Sequence, residues 1–212
     1  MWYVLSKGEC PMTELFYSSI ASVSFADVFS TPLADTLQKG VEKYTDPQAR
    51  AESYALRLLL QKALPEVGIS PDAVRLCFTE EGKPYFVGSS LFISLSHSKS
   101  YVALALSDTP CGVDVEDETS VKHPHQLAKR FFTEDMVSEV REATNPALAF
   151  LSVFTRMEAT VKQKEGLTLP LAKDCLSPVY YSTKLPLGEG KKAVLTAVGD
   201  PPFCAYKLAI FP

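Results

Sequence analysis

Two long helical segments constrain the fold of this chain more than any other feature. The first is predicted over residues 46–64, where Asp46 and Pro47 form a strong start signal. The second is predicted over residues 146–165, opened by Asn145 and a proline. Strand-like segments follow each helix. This order predicts an α+β fold of two similar α/β lobes related by a pseudo-twofold, each with a long helix packed on a small antiparallel sheet.

The other predicted elements divide between the same two halves. Strands are predicted at residues 1–6, 74–78, 91–95, 101–106, 112–116, 175–181, 192–199 and 203–210, and further helices at residues 32–43, 125–131 and 133–142. We expect 74–78 and 91–95 to flank the turn at 81–84, and 101–106 to pair with 112–116. No flexible linker separates the halves. The domain prediction is therefore an N-terminal lobe (1–104) and a C-terminal lobe (105–212), packed as one body with the site between them.

Composition narrows the class of function. Hydrophobic residues make up 46% of the chain and charged residues 22%, as in ordinary globular proteins. The net charge is −4 and no basic run is present, so nucleic acid is not an expected partner. No segment has the length of a membrane span or of a signal peptide, and the five cysteines are scattered. We expect a soluble cytoplasmic protein that acts as a monomer, without a membrane partner.

Asp114 and Glu116 are two residues apart in a predicted strand, so their carboxylates project to the same side. They follow a very apolar pair of strands, where an unpaired charge is costly. A divalent cation such as Mg²⁺ would offset that cost. The alternative is a solvated strand end that continues into an acidic turn, and spacing alone does not exclude it.

Glu158 lies on the edge of the apolar stripe of the second long helix. Lys162 follows four residues later, so the two side chains lie on one face of that helix. One interpretation is an ordinary ion pair within the helix. The other places Glu158 on a metal or a nucleophile and directs Lys162 at a phosphate.

A third group of polar residues follows a predicted strand. Ser96, His97 and Lys99 could hold an anion with hydroxyl, imidazole and ammonium groups. A Ser-His-Asp hydrolase is the competing interpretation. Ser96 and His97 are adjacent, however, and no Gly-x-Ser-x-Gly elbow is present. A turn histidine with no special role also remains open.

Together these segments form a pattern that resembles a known family, the 4′-phosphopantetheinyl transferases. Order and spacing resemble its longer, two-lobed class, the type that activates surfactin synthetase. The resemblance covers about residues 46–170. The motifs that carry it are Gly82-Lys83-Pro84, Phe92-Ile93-Ser94-Leu95-Ser96-His97-Ser98, Gly112-Val113-Asp114-Val115-Glu116, Ala128-Lys129-Arg130-Phe131-Phe132 and Phe154-Thr155-Arg156-Met157-Glu158-Ala159-Thr160-Val161-Lys162.

The resemblance implies an Mg²⁺-dependent enzyme that transfers 4′-phosphopantetheine from coenzyme A to a serine of an apo acyl or peptidyl carrier protein, releasing adenosine 3′,5′-bisphosphate. It implies that Asp114, Glu116 and Glu158 hold Mg²⁺ and that Glu158 accepts the proton of the carrier serine. Lys162 would stabilise charge on the phosphate. Such a transfer depends mainly on positioning and charge neutralisation.

The resemblance also implies contacts with coenzyme A. Ser96 and His97 match positions that hold its 3′-phosphate and neighbouring groups, and Lys83, with Pro84, matches a cofactor-contacting position. Lys39, Lys43 and Arg50 are candidates for further phosphate contacts, or else a solvated helix face. The carrier partner is usually acidic, as this chain is, so its attraction must be local; Lys122, Lys129 and Arg130 are the expected contacts.

In the second long helix, two residues depart from the usual motif of the family, Trp-x-x-Lys-Glu-Ala. Phe154 replaces the tryptophan and keeps an aromatic anchor, whereas Met157 replaces the lysine and removes a cation beside Glu158. This second change supports the alternative of a coenzyme A-binding paralogue with weakened or lost transferase activity. A metal-dependent phosphohydrolase that uses the same carboxylates is a third hypothesis.

Overall fold

The computed structural model describes residues 12–21, 23–38, 41–164 and 168–211. Its strands are β1 (Thr13–Ser19), β2 (Arg75–Phe78), β3 (Pro84–Val87), β4 (Phe92–His97), β5 (Tyr101–Ser107), β6 (Gly112–Asp117), β7 (Tyr180–Gly188), β8 (Lys191–Val198) and β9 (Phe203–Lys207). Its α-helices are α1 (Phe25–Ser30), α2 (Asp35–Gln38), α3 (Pro47–Ala63), α4 (Pro124–Phe131), α5 (Glu134–Glu142), α6 (Pro146–Gln163) and α7 (Leu169–Ala172). No helix in this part of the chain has the length and apolarity to cross a membrane.

The strands form two main sheets and a hairpin. One sheet has the order β4-β5-β1-β9, the other has the order β6-β8-β7, and β2 pairs with β3. All pairs are antiparallel except β1 with β9, which is parallel. The observed architecture is therefore mixed α+β, as predicted. The first sheet is not purely antiparallel, however, because the last strand of the chain returns to it.

The two main sheets pack face to face between the two long helices. On β5, Val102 and Leu104 face the apolar cluster that contains α3, whereas Ala103 and Ala105 face the second sheet. On β8, Leu195 faces the first sheet and Val194 faces the cluster formed with α4, α5 and α6. Alternating side chains on both strands are thus buried on both faces, which explains their continuous apolar sequences.

Side-chain capping explains where the long helices begin. The Asp46 side chain accepts a hydrogen bond from the backbone N–H of Ala49, and the Asn145 side chain accepts one from Leu148, each with proline in the first turn. Both helices match the predicted bounds within two residues. The predictions for α4, α5, β2, β4, β5, β6 and β8 are confirmed with similar accuracy.

Other predictions were wrong in position. The helix predicted over residues 32–43 is reduced to α2, and the strand predicted at 175–181 lies at β7. Pro186 is tolerated there because β7 is an edge strand. Strands β1 and β3 were not predicted, and β3 rather than β4 pairs with β2 across the turn at residues 81–84. The strand predicted at residues 1–6 lies outside the described residues.

The predicted pairing of β5 with β6 was also wrong. β5 pairs with β4 and β1, whereas β6 pairs with β8, so the turn between them carries the chain from one sheet to the other. Both strands are apolar because the sheets pack on each other, not because they are neighbours in one sheet. The pseudo-twofold relation and the lobe boundary between residues 104 and 105 stay predictions.

Candidate active site

The candidate site lies where β6 meets α6. A Cβ added to Gly112 would lie 1.8 Å from the carbonyl oxygen of Ala159 and 2.9 Å from the backbone nitrogen of Gln163. Only glycine allows this approach of strand to helix, which explains the first residue of the Gly-Val-Asp-Val-Glu motif. The contact brings Asp114 and Glu116 of β6 close to Glu158 and Lys162 of α6.

Lys162 joins α6 to the strands of both main sheets. Its Nζ donates to Asp114 Oδ1 at 2.8 Å, to the Val113 carbonyl at 3.0 Å and to Ser96 Oγ at 3.2 Å. These contacts use all three of its donors. The ammonium is thus paired with Asp114 across the interface, so the alternative of a simple pair with Glu158 within the helix was wrong.

Asp114 is almost completely enclosed, with its side chain 5% exposed. Its Oδ1 also accepts a hydrogen bond from Ser96 Oγ at 2.8 Å. Its Oδ2 is buried and has no hydrogen-bond partner among the described residues. A buried carboxylate oxygen without a partner is costly, so this atom is available to a cation or a donor that enters the site.

Glu116 and Glu158 complete the acidic group. Burial, and then the Asp114 carboxylate, raise the pKa of Glu116 to about 7, while Lys162 partly opposes the shift. Burial and the Asp114 carboxylate also raise the pKa of Glu158. Three carboxylates in one place with one ammonium leave an excess of negative charge, which a divalent cation would neutralise.

These observations fit a magnesium site that is completed on binding. Oxygen ligands and retained water molecules are what Mg²⁺ prefers. Within the described ranges, no group of three or more His, Cys, Asp or Glu side chains is already arranged to hold a metal ion. Asp114 could offer its unpartnered Oδ2 to Mg²⁺, with Glu116 and Glu158 brought to the ion on binding.

Ser96 belongs to a row of serines that ties β4 to β6, and sequence reasoning missed this role. Ser94 Oγ accepts from the Val113 N–H at 3.0 Å, and Ser96 Oγ accepts from the Val115 N–H at 3.3 Å. Further along the row, Asp117 accepts hydrogen bonds of 2.7 Å from Ser98 and Ser100. The signal was present in the sequence as serine at every second position from 94 to 100. Ser96 thus positions Asp114, and its predicted contact with coenzyme A stays a prediction.

His97 lies apart from this group. It is 46% exposed, and its Nδ1 lies 3.3 Å from Oε2 of Glu52 on α3. Beside this pair is a cavity of about 160 Å³ lined by Glu52 and Lys99 among others. The structure therefore gives His97 a carboxylate partner that sequence reasoning did not identify.

The remaining predicted contact residues lie in other places. Lys83 and Pro84 line a separate cavity of about 240 Å³, together with Cys111. Arg50 is exposed, with its guanidinium 5.5 Å from the centre of the Phe29 ring. Lys39 lies outside the described residues. The structure thus brings Asp114, Glu116, Glu158, Lys162 and Ser96 together, but it does not bring Lys83, Pro84 or Arg50 to the same group.

Met157 is fully buried in the apolar cluster around Phe150 and Leu151. Its neighbour Arg156 donates to the Ser177 carbonyl at 2.9 Å and packs over the Tyr180 ring. Position 157 therefore faces the core rather than the carboxylates. Methionine at this position therefore does not take a cation away from Glu158, which weakens the case for an inactive paralogue.

The raised pKa of Glu116 predicts a dependence of stability on pH. A carboxyl with a folded-state pKa of about 7 contributes stability that is present below its unfolded pKa of about 4.3 and is lost as the pH rises through 7. We expect Glu116→Gln to be more stable than the unsubstituted protein at pH 8 and to lose this advantage near pH 5. Thermal unfolding across this pH range is the measurement.

The Glu116→Gln variant also tests whether Glu116 is a ligand of Mg²⁺. A cation that binds only the folded state raises its stability, so if Glu116 is a ligand, Mg²⁺ at pH 8 should raise the Tm of the unsubstituted protein more than that of Glu116→Gln. An equal response of both proteins to Mg²⁺ would contradict the assignment of Glu116 as a ligand.

Comparison with known proteins finds a family match over the segment that contains these residues. Residues 110–174, which include Asp114, Glu116, Glu158 and Lys162, match the model of the 4′-phosphopantetheinyl transferase superfamily. The chain is 36% identical over 121 residues to the 4′-phosphopantetheinyl transferase AcpT of Salmonella typhimurium, an alignment that covers 55% of this chain and 60% of that protein. The chain thus spans less than two thirds of the length of this relative.

Two further relatives carry the same description. The 4′-phosphopantetheinyl transferase gsp of Aneurinibacillus migulanus is 25% identical over 169 residues, covering 76% of this chain and 69% of that protein. The 4′-phosphopantetheinyl transferase Sfp of Bacillus subtilis is 27% identical over 146 residues, covering 65% of this chain and 62% of that protein. The resemblance found in the motifs is thus confirmed, and residues 110–174 carry the match to the 4′-phosphopantetheinyl transferase superfamily.

Proposed function

We propose that this chain transfers the 4′-phosphopantetheine group of coenzyme A to a serine of an apo acyl or peptidyl carrier protein and releases adenosine 3′,5′-bisphosphate. The observation that carries the proposal is the group formed by Asp114, Glu116, Glu158 and Lys162. It combines three carboxylates with an ammonium, a set of charges suited to neutralising a pyrophosphate through a cation. One chain supplies all of these residues, so a monomer is sufficient.

In this reaction the serine Oγ forms a bond with phosphorus, and the pyrophosphate P–O bond to the adenosine bisphosphate breaks. Glu158 accepts the serine proton, directly or through water. A carboxylate whose pKa is raised by burial is a better base than an exposed one. Mg²⁺ held by Asp114, Glu116 and Glu158 would supply charge neutralisation at the pyrophosphate.

In the proposal Lys162 also contacts a phosphate of the cofactor, besides pairing with Asp114. Its donors are used by Asp114, Ser96 and Val113, so contact with a phosphate requires that at least one of these hydrogen bonds be exchanged. Contacts of coenzyme A with Lys83, Pro84, Ser96, His97, Arg50 and Lys39 also belong to the proposal.

The carrier is proposed to dock at α4. Lys129 and Arg130 are exposed in its last turn, and the Arg130 guanidinium lies 5.2 Å from the centre of the Phe131 ring. Lys122, which is exposed just before α4, is the third proposed contact on this chain of net charge −4. We expect the double substitution Lys129→Glu and Arg130→Glu to lower kcat/KM for the carrier about tenfold at low salt, with less effect at high salt.

Charge reversal of Lys207, which is exposed on β9, is the matched control for this prediction. Steady-state kinetics at fixed coenzyme A and varied carrier give the comparison. If the double variant and the control had the same kcat/KM, docking at α4 would be excluded.

The proposed reaction is tested by incubating the protein with coenzyme A, Mg²⁺ and several apo carrier proteins, read by intact mass. The proposal predicts that at least one carrier gains the mass of one phosphopantetheine group. Coenzyme A binding without a mass gain on any carrier would favour a binding paralogue. Release of adenosine bisphosphate without a carrier would favour a phosphohydrolase.

A further inference from the structure

Lys162 pairs with a carboxylate that the proposed reaction assigns to a metal ion. Its Nζ lies 2.8 Å from Asp114 Oδ1 and also donates to the Val113 carbonyl and to Ser96 Oγ. The Asp114 side chain is only 5% exposed, so little water screens the attraction between the two charges. In the cofactor-free protein the ammonium thus serves as the counter-ion of Asp114.

The charge of Lys162 also acts on the other two carboxylates of the site. Burial and the Asp114 carboxylate raise the pKa of Glu116 and of Glu158, and the ammonium opposes the shift in both. The ammonium therefore weakens the binding of a proton to these groups. Because Mg²⁺ is also a cation and would use the same oxygens, the same repulsion acts on Mg²⁺.

The position of Lys162 allows its ammonium to change partners. Two of its acceptors, Ser96 and Val113, are fixed on β4 and β6, where Ser96 Oγ also accepts from the Val115 N–H. The Lys162 side chain is nevertheless 30% exposed, so a phosphate can reach it from solvent. A phosphate oxygen would give the ammonium a charge-assisted hydrogen bond in exchange for the one to Asp114.

We infer that Lys162 is an internal competitor of the divalent cation. In the cofactor-free protein its ammonium neutralises part of the acidic group and keeps the affinity for Mg²⁺ low. The pyrophosphate of coenzyme A gives the ammonium a second anionic partner, and the move away from Asp114 raises the affinity for Mg²⁺. This last step rests on the proposed function, whereas the competition itself does not depend on the cofactor.

Isothermal titration of the full chain with magnesium chloride, at constant ionic strength and without coenzyme A, tests the competition. A pH of about 9 keeps Glu116 ionised, since its pKa is about 7. Lys162→Met removes the charge and should lower the Kd for Mg²⁺ about tenfold or more. Lys162→Arg keeps the charge and should leave the Kd within about threefold of the unsubstituted value. Lys207→Met removes an exposed lysine of β9 and should not alter the Kd.

A measurement on the unsubstituted protein covers the case in which Lys162→Met does not fold. The rate at which an amine-acylating reagent labels Lys162 is followed by mass spectrometry with and without saturating Mg²⁺. A bound ion that competes for Asp114 releases the ammonium, so the labelling rate of Lys162 should rise severalfold. The labelling rate of Lys207 should not change. Thermal unfolding confirms that each variant is folded before titration.

The other outcomes count against the inference. A Kd for Lys162→Met that is no lower than that of the unsubstituted protein, or no binding of Mg²⁺ to either, would overturn it. A Kd lowered equally in Lys162→Arg would show that side-chain packing rather than charge sets the affinity, which also overturns it. An unchanged labelling rate of Lys162 would do the same. The proposed function fails by a different result, namely the absence of a mass gain on every apo carrier.

Discussion

Replacing Lys162 with methionine is expected to lower the free energy of unfolding by about 2–4 kcal/mol. The reason is that the buried side chain of Asp114, 5% exposed, would lose its ammonium partner. Breaking a fully buried pair costs more, but Lys162 is 30% exposed, which reduces the loss. For a chain of 212 residues this corresponds to a fall in Tm of roughly 5–15 °C.

Thermal unfolding of a small set of variants separates this effect from a general loss of packing. The double variant Lys162→Met with Asp114→Asn contains no unpaired buried carboxylate at position 114, so it should be more stable than Lys162→Met alone. Lys129→Met removes a lysine that is exposed on α4 and should leave the Tm almost unchanged. An unchanged Tm for Lys162→Met would show that the ammonium does not hold Asp114 in the folded protein.

Replacing Glu158 with glutamine is expected to lower kcat/KM for the carrier by roughly 10²–10⁴-fold, the range that proton transfer by a positioned side chain usually contributes. The amide has the shape of the carboxylate but cannot accept the serine proton. Stability should not fall, because Asp114 repels the charge of Glu158 in the folded protein and the amide removes that repulsion.

This combination of lost activity and kept stability distinguishes a base from a structural residue. Steady-state kinetics and thermal unfolding are measured on the same preparations, with Glu142→Gln as the matched control on α5. A Glu158→Gln protein with a rate within about threefold of the unsubstituted protein would exclude Glu158 as the acceptor of the serine proton.

The parts of the fold that could be predicted from the sequence are those whose determinants are local. Helices α3 and α6 begin at Asp46 and Asn145 because the capping contacts involve residues only a few positions away. Strand β5 could be located because both of its faces are buried, which leaves a continuous apolar run. Pairing between distant strands has no such local signal, and this explains why the return of β9 to β1 was missed.

In the candidate site, too, local relations could be predicted from the sequence and contacts between distant segments could not. The spacing of Asp114 and Glu116 predicted two carboxylates on one side of a strand. In the structure, burial and then the nearby Asp114 carboxylate raise the pKa of Glu116 and of Glu158. The partner of Lys162 could not be predicted, because the helix offered Glu158 four residues away while the fold supplied Asp114 from a distant strand. The partner of His97 was missed for the same reason, since Glu52 comes from a separate helix.

The measurement that most directly tests the proposed function is the stoichiometry of group transfer. The protein is incubated with coenzyme A, Mg²⁺ and an apo carrier that it modifies, and both the modified carrier and the released adenosine 3′,5′-bisphosphate are quantified. We expect one bisphosphate per modified carrier, and neither product when the acceptor serine of the carrier is replaced by alanine. Bisphosphate release that continues with the alanine carrier, or in the absence of a carrier, would contradict the proposed transfer.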